Sequence, residues 1–146
     1  MSLSILCVCL GNICRSPTGQ AVLAGLLPEA RLDSAGTGNW HLGAPPYAPM
    51  QRAARARGHD LSDQRARQVS VEDFHRFDLI LAMDENNLTR LEAIRPADAR
   101  ADLALFCEGL EGAAKNVPDP YYTGDFDAVV RLIEDAGAIW AARLRA

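Results

Sequence analysis

The residues best placed to do chemistry lie within the first sixteen positions, where five residues, among them Gly11 and Asn12, separate Cys9 from Arg15. A cysteine that has lost its proton is a strong nucleophile near neutral pH, and an arginine presents a planar fork that matches phosphoryl oxygens in pairs. The intervening Leu10, Gly11, Asn12, Ile13 and Cys14 supply backbone N–H groups that can turn inward around an anion. Gly11 and Asn12 tolerate the left-handed backbone that such a tight nest requires. A thiol at the floor of the cradle, faced by amides, a helix end and Arg15, is expected as the thiolate.

By spacing alone the Cys-x5-Arg pattern is weak, since four cysteines and fourteen arginines in 146 residues give roughly 0.4 chance occurrences. The flanking pattern strengthens it. Ser4 to Cys9 is a short apolar run rich in strand formers, closed by the Gly11-Asn12 turn signal. Ser16 followed by Pro17 reads as a helix N-cap and first helical position, with Ala21, Val22 and Leu26 on the apolar face and a stop at Leu27 before Pro28. The cradle thus joins a buried strand to a helix N-terminus, which favours negative charge.

The rest of the chain repeats this alternation. Arg31 to Ser34 is a second strand candidate, followed by a flexible Ala35-Gly36-Thr37-Gly38 string and a loop carrying Trp40 and His41. Tyr47 to Arg57 is helical in pattern with Gly58 just past its end, and Ser70-Val71-Glu72-Asp73 resembles a capping box. Asp78 to Met83 is a third strand, after which Asp84 to Asn87 supply cap-forming residues for a helix containing Leu88 and Leu91. Leu103 to Phe106 is a weaker fourth strand, and Phe126, Val129, Ile133, Trp140 and Leu144 mark a long closing helix. This order predicts an α/β fold: one domain over 1–146, a doubly wound four-stranded parallel sheet with helices on both faces. Ligands of such sheets bind beyond the carboxyl ends of the strands, where Cys9 falls.

Composition narrows the function. A formal charge of −4 and a single lysine, Lys115, leave no polybasic run for nucleic acid or an anionic membrane surface. The start lacks a basic leader and the longest apolar runs are too short to span a bilayer, so a cytoplasmic location is expected. Cysteines at 7, 9, 14 and 107 do not form a secreted disulfide framework, and Cys-x-Cys on a strand without a matching downstream pair does not read as a zinc site. Cys7 and Cys107 fit the core, whereas Cys14 is either filler or a redox partner of Cys9. His41, His59 and His75 are isolated, with surface or capping roles expected, and Trp40 is either core or pocket.

The string Cys9-Leu10-Gly11-Asn12-Ile13-Cys14-Arg15-Ser16-Pro17 resembles the signature of the low-molecular-weight protein tyrosine phosphatases. Further matches are Asp33 to Thr37, Ala66 to Val69, Asp73-Phe74, Phe77-Asp78, Met83-Asp84, Asn87-Leu88 and Pro118 to Tyr122. The resemblance implies Cys9 as nucleophile, Arg15 and the loop amides as phosphate ligands, Ser16 beside the thiolate, and Asp119 as general acid and then base. Asn12 and Ser34 would hold the loop, while Ile13, Trp40, Tyr121 and Tyr122 would wall the substrate pocket.

Asp119 also makes chemical sense by itself, because a phenolate of pKa ~10 leaves more readily with a proton. No metal or cofactor is implied, the partner is a phosphotyrosine protein, and a monomer is expected. The chain departs from the family in two places: animal members carry a histidine near Gln64, and many members show Asp-x-Arg where this chain has Tyr47-Ala48-Pro49. An arsenate reductase on the same scaffold would need a further downstream cysteine pair, and resembling phosphoarginine phosphatases carry threonine in place of Ile13.

Overall fold

Strict alternation along the first strand, β1 (Ser4–Cys9), divides the core in two. Ile5, Cys7 and Cys9 face one cluster and Leu6 and Val8 the other, as a period of two demands. The protein is described here by a computed structural model covering residues 2–111 and 115–145. Among these residues four parallel strands, β1, β2 (Arg31–Gly36), β3 (Leu79–Ala82) and β4 (Asp102–Leu105), form one sheet in the order β2-β1-β3-β4.

The helices are α1 (Arg15–Leu26), α2 (Ala48–Ala56), α3 (Asp73–Arg76), α4 (Glu85–Ile94), α5 (Pro120–Thr123) and α6 (Phe126–Arg145). Val22 and Leu23 of α1, Met50 of α2 and Ile133 of α6 pack on the Cys7 side, with Phe74 of α3 and Leu91 of α4 on the Leu6 side. Both sheet faces are therefore covered, which explains why β1 and β3 read as nearly continuous apolar runs. Close packing is visible at Gly19, where a Cβ would overlap the Met83 side chain. Trp140 closes the first cluster and donates its indole N–H to the Phe106 carbonyl at 2.8 Å.

The strand order reverses direction between β1 and β3, so the loops leaving these two strands part and leave a crevice between them. Residues 10–15 and Met83-Asp84 occupy that position.

Three local expectations are corrected. Ser16 is not the N-cap of α1: the helix begins at Arg15 with Cys14 as N-cap and no capping side chain, and the Ser16 hydroxyl turns inward. Pro17 falls at the third helical position, where its missing N–H still loses no helical bond. The second correction concerns β2, which does not end at Ser34 but runs on to Gly36. Gly36 pairs with Cys9 and exchanges backbone bonds with Arg67 and Val69 on its other side. Neighbouring backbone thus makes a strand of residues whose own propensity is for a turn.

The capping box expected at Ser70 to Asp73 does not form: the N-cap of α3 is Glu72 with no capping side chain, and the Asp73 carboxylate instead accepts the Ser70 N–H at 2.8 Å. Gly58 adopts φ 90° just beyond α2, as a helix-ending glycine does.

Candidate active site

β1 delivers Cys9 to the crevice, and the chain must then reverse within a few residues to enter α1. Asn12 takes φ 58° at the tightest point, the one non-glycine residue with positive φ among the described residues. Three side-chain bonds stabilise it there. Its Nδ2 donates to Ser16 Oγ at 2.8 Å and to Ser34 Oγ at 2.9 Å, and its Oδ1 accepts the Arg67 N–H at 3.0 Å. Ser34 in turn faces Gln64 Oε1 at 3.3 Å, and Gln64 Nε2 donates to the Pro17 carbonyl at 2.9 Å. Gln64 therefore completes the support of Asn12.

Cys9 Sγ receives the Asn12 N–H at 3.3 Å and lies 3.0 Å from the Ser16 hydroxyl. The amide donates to the sulfur, and the hydroxyl lies within reach to do so. At Cys14, burial, then the charges of Cys9 and Asp119, push the thiol well above the ordinary range, so it stays protonated. Cys7 is raised likewise by burial, and burial lifts Cys107 to about 11, consistent with core roles for both.

Arg15 is only 3% exposed, and burial opposes its charge. The negative groups around it, Cys9, Asp84 and Asp119, outweigh that penalty and hold it cationic. Its Nη1 donates to Asp84 Oδ2 at 2.6 Å and to the Val117 carbonyl at 3.1 Å, and its Nη2 lies 3.4 Å from Asp119 Oδ2. Asp84 does two things with its two oxygens: Oδ1 accepts the Asn87 N–H as the cap of α4, and Oδ2 grips Arg15. Its capping role is legible in Asp84-Glu85-Asn86-Asn87, whereas the contact with Arg15, 69 residues away in sequence, is not.

Asp119 sits on extended backbone between Pro118 and Pro120, and its Oδ1 accepts the Tyr121 N–H at 3.1 Å, capping α5. That leaves Oδ2 facing the pocket beside Arg15. Cys9, Ile13, Arg15 and Asp119 line one cavity of about 330 Å³, with Trp40, Tyr121 and Tyr122 at its walls. The aromatic rim is open: Trp40 is 68% and Tyr122 76% exposed, which excludes a core position for Trp40. His41 also lines the cavity, its ring 6.3 Å from that of Tyr121, so it is not an isolated surface histidine. Nothing in its sequence surroundings signalled this. His59 instead meets Glu134 at 2.7 Å, joining the end of α2 to α6.

A wall of β2 also shapes the loop. A Cβ on Gly36 would fall 2.7 Å from the Leu10 carbonyl oxygen and 3.2 Å from Asn12 N, both backbone atoms that cannot yield without moving the cradle. Gly36→Ala is expected to lower kcat/KM on an aryl phosphate by about 100-fold, the effect of a displacement near one ångström at a reacting centre. Steady-state kinetics on a variant with a parental circular dichroism spectrum checks this.

A parallel α/β sheet whose first strand leads through a tight anion-sized loop into a helix, with a thiol and an arginine turned into one cavity, defines a phosphate-handling α/β protein. The family model for low molecular weight phosphotyrosine protein phosphatase matches residues 4–146. The low molecular weight protein-tyrosine-phosphatase YfkJ of Bacillus subtilis is 40% identical over 139 residues, covering 90% of this chain and 89% of that protein. Its crystal structure superposes with a TM-score of 0.91 at 37% identity, covering 99% of this chain and 96% of that one. The low molecular weight phosphotyrosine protein phosphatase of Schizosaccharomyces pombe is 40% identical over 146 residues, with 91% and 92% covered. The tyrosine phosphatase Wzb of Escherichia coli K30, solved in complex with sulphate, has a TM-score of 0.88 at 36% identity and 99% coverage of both chains. The chain belongs to the low molecular weight phosphotyrosine protein phosphatase family, and is an enzyme of that kind.

Proposed function

We propose that the enzyme hydrolyses phosphotyrosine in proteins through a cysteinyl-phosphate intermediate, with Cys9 as nucleophile, Arg15 as phosphoryl ligand and Asp119 as general acid and then base. The observation that carries this is the meeting of Cys9, Arg15 and Asp119 in one aromatic-walled cavity. The Cys9 thiolate attacks phosphorus, the bond to the phenolic oxygen breaks, and the Asp119 carboxyl proton passes to that oxygen. Asp119, now ionised, takes a proton from water as the water oxygen attacks phosphorus, and the S–P bond breaks to return the thiolate.

Nη1 of Arg15 is held by Asp84, so Nε and Nη2 form the edge that grips two phosphoryl oxygens. The N–H groups of Leu10, Gly11, Asn12, Ile13, Cys14 and Arg15 complete the cradle and carry the charge of the transition state. Ser16 donates to the thiolate, and Ser34 steadies Asn12. Ile13 offers an apolar face to the phenyl ring and no partner to a guanidinium, which favours the aryl ester over phosphoarginine. Trp40, Tyr121 and Tyr122 flank the ring, so a phosphoserine is too short to reach Cys9 past them.

Amides and Arg15 supply the stabilisation in this mechanism, so hydrolysis of phenyl phosphate is expected to persist in EDTA and to be blocked by vanadate. Turnover lost on chelation and restored by a divalent cation would overturn this reading.

Cys14 is assigned a protective part. Peroxide converts the Cys9 thiolate to the sulfenic acid, and the Cys14 thiol condenses with it, releasing water and forming a disulfide that external thiols reduce. The parent is expected to regain activity after mild peroxide and dithiothreitol, whereas Cys14→Ser regains much less as Cys9 oxidises further. Equal recovery of the two removes Cys14 from this role.

A further inference from the structure

The catalytic cavity does not stand alone at this end of the sheet. Leu10, Arg15, Asp119 and Tyr122 line both it and a neighbouring cleft of about 490 Å³. Thr37 and Arg90 line that cleft and a third one beyond, whose walls include Val71 and Ile94. The shared residues make the three adjoin, as a groove that starts at the cavity and follows α4 toward its last residue, Ile94. A phosphotyrosine whose phosphoryl group reaches Cys9 places its own backbone at the mouth of the cavity, so the adjoining residues must lie along the rim, and the groove is a depression continuous with that rim.

Charge and polarity along the groove differ from one end to the other. Its two carboxylates near the cavity, Asp84 and Asp119, both face Arg15 at 2.6 and 3.4 Å. The arginines that form ion pairs among the described residues are Arg15, Arg57, Arg67, Arg100, Arg131 and Arg143. Arg90, on α4, is not one of them, and it forms part of the wall of both clefts beyond the cavity. Beyond it Val71 and Ile94 are 46% and 40% exposed, large apolar side chains open at the far end of the groove.

We propose that this groove binds the substrate segment flanking the phosphotyrosine in an extended conformation, with an acidic side chain of the substrate at Arg90 and an apolar one against Val71 and Ile94. The inference rests on the phosphotyrosine reading above. It makes Arg90 a specificity-determining residue remote from the reacting atoms, and it defines the preferred partner as a protein whose phosphotyrosine is followed or preceded, on one side only, by a carboxylate and then a hydrophobic residue.

The test uses phosphotyrosine peptides in an alanine background with one glutamate walked through five positions on each side. kcat/KM is measured for the parent, Arg90→Gln and Arg90→Glu, each normalised to its own rate on phenyl phosphate, which has no flanking chain. The parent is expected to favour glutamate at one position, or two adjacent ones, on a single side by about 3- to 5-fold, the worth of an exposed ion pair. Arg90→Gln flattens that preference, and Arg90→Glu reverses it in favour of lysine at the same position. Ile94→Ser lowers the preference for leucine further out on the same side. Identical glutamate profiles in all three proteins, or no preference in the parent, would overturn the groove assignment while leaving the phosphatase reading intact. A parent inactive on phenyl phosphate and on every peptide would sink both.

Discussion

Asp119→Asn is expected to slow turnover of phosphotyrosine by about 10²- to 10⁴-fold, the usual worth of a positioned acid or base. The loss should depend on the leaving group. A phenolate of high pKa leaves poorly without the proton that Asp119 supplies, whereas an aryl oxide of low pKa departs as a stable anion. The penalty in the phosphorylation step should therefore shrink across a series of increasingly acidic phenols, read as the burst phase in rapid-mix kinetics. Arg15→Ala gives the contrasting pattern, because phosphoryl binding and charge stabilisation serve good and poor leaving groups alike.

Geometry supports the assignment, since Asp119 Oδ1 is occupied by the Tyr121 N–H and Oδ2 is turned into the cavity beside Arg15. An Asp119 variant whose phosphorylation rate depends on leaving-group pKa as the parent's does would place the acid elsewhere. Glu111 and Asp125 would then be examined next.

The largest expected loss of stability lies away from the reacting atoms, at Asp73. Its carboxylate is fully buried and receives Arg67 Nη1 and Nη2 in a bidentate pair at 3.0 Å each, together with the Ser70 N–H at 2.8 Å. Asp73→Ala removes the bidentate partner, leaving the guanidinium with Asp33 alone and the Ser70 amide without a partner. Breaking such a pair by one member costs several kcal/mol, and because Arg67 is about one-third exposed and also meets Asp33, the lower end, about 3 kcal/mol, is expected. For a chain of this size that lowers Tm by about 10 °C.

Activity should fall as well, because the Arg67 N–H holds Asn12 Oδ1 and so maintains the left-handed turn of the loop. A double variant, Arg67→Met with Asp73→Leu, should recover part of the stability, since it removes both charges together. Thermal unfolding of the two variants checks this, and a single Asp73→Ala variant as stable as the parent would refute it.

Much of the fold was legible because its signals are local. The apolar runs of β1 and β3, the stop before Pro28, Gly58 after α2, the Asp84 to Asn87 cap and the helical period from Phe126 to Trp140 each arise from residues close in sequence. Failures occurred where distant backbone outweighs local preference. Ala35 and Gly36 are strand because Val8 and Cys9 pair with them on one side and the Arg67 to Val69 segment bonds Gly36 on the other. Ser16 looked like a cap because Ser-Pro favours one, yet its hydroxyl is claimed by Cys9 and Asn12.

By itself the sequence placed a thiol and an arginine on one short loop between a strand and a helix start, and the structure turns both into one cavity. The sequence also placed Asp119 on stiff, extended backbone between two prolines. Only the tertiary structure decided how those groups are held. Asp84 reaches Arg15 across 69 residues, Arg67 reaches Asn12 across 55, Gln64 fills the place beside Ser34, and His41 turns into the cavity. Each of these contacts depends on which loops the strand order brings together at the carboxyl end of the sheet. That order is set by packing both sheet faces at once, a condition no short stretch of sequence expresses.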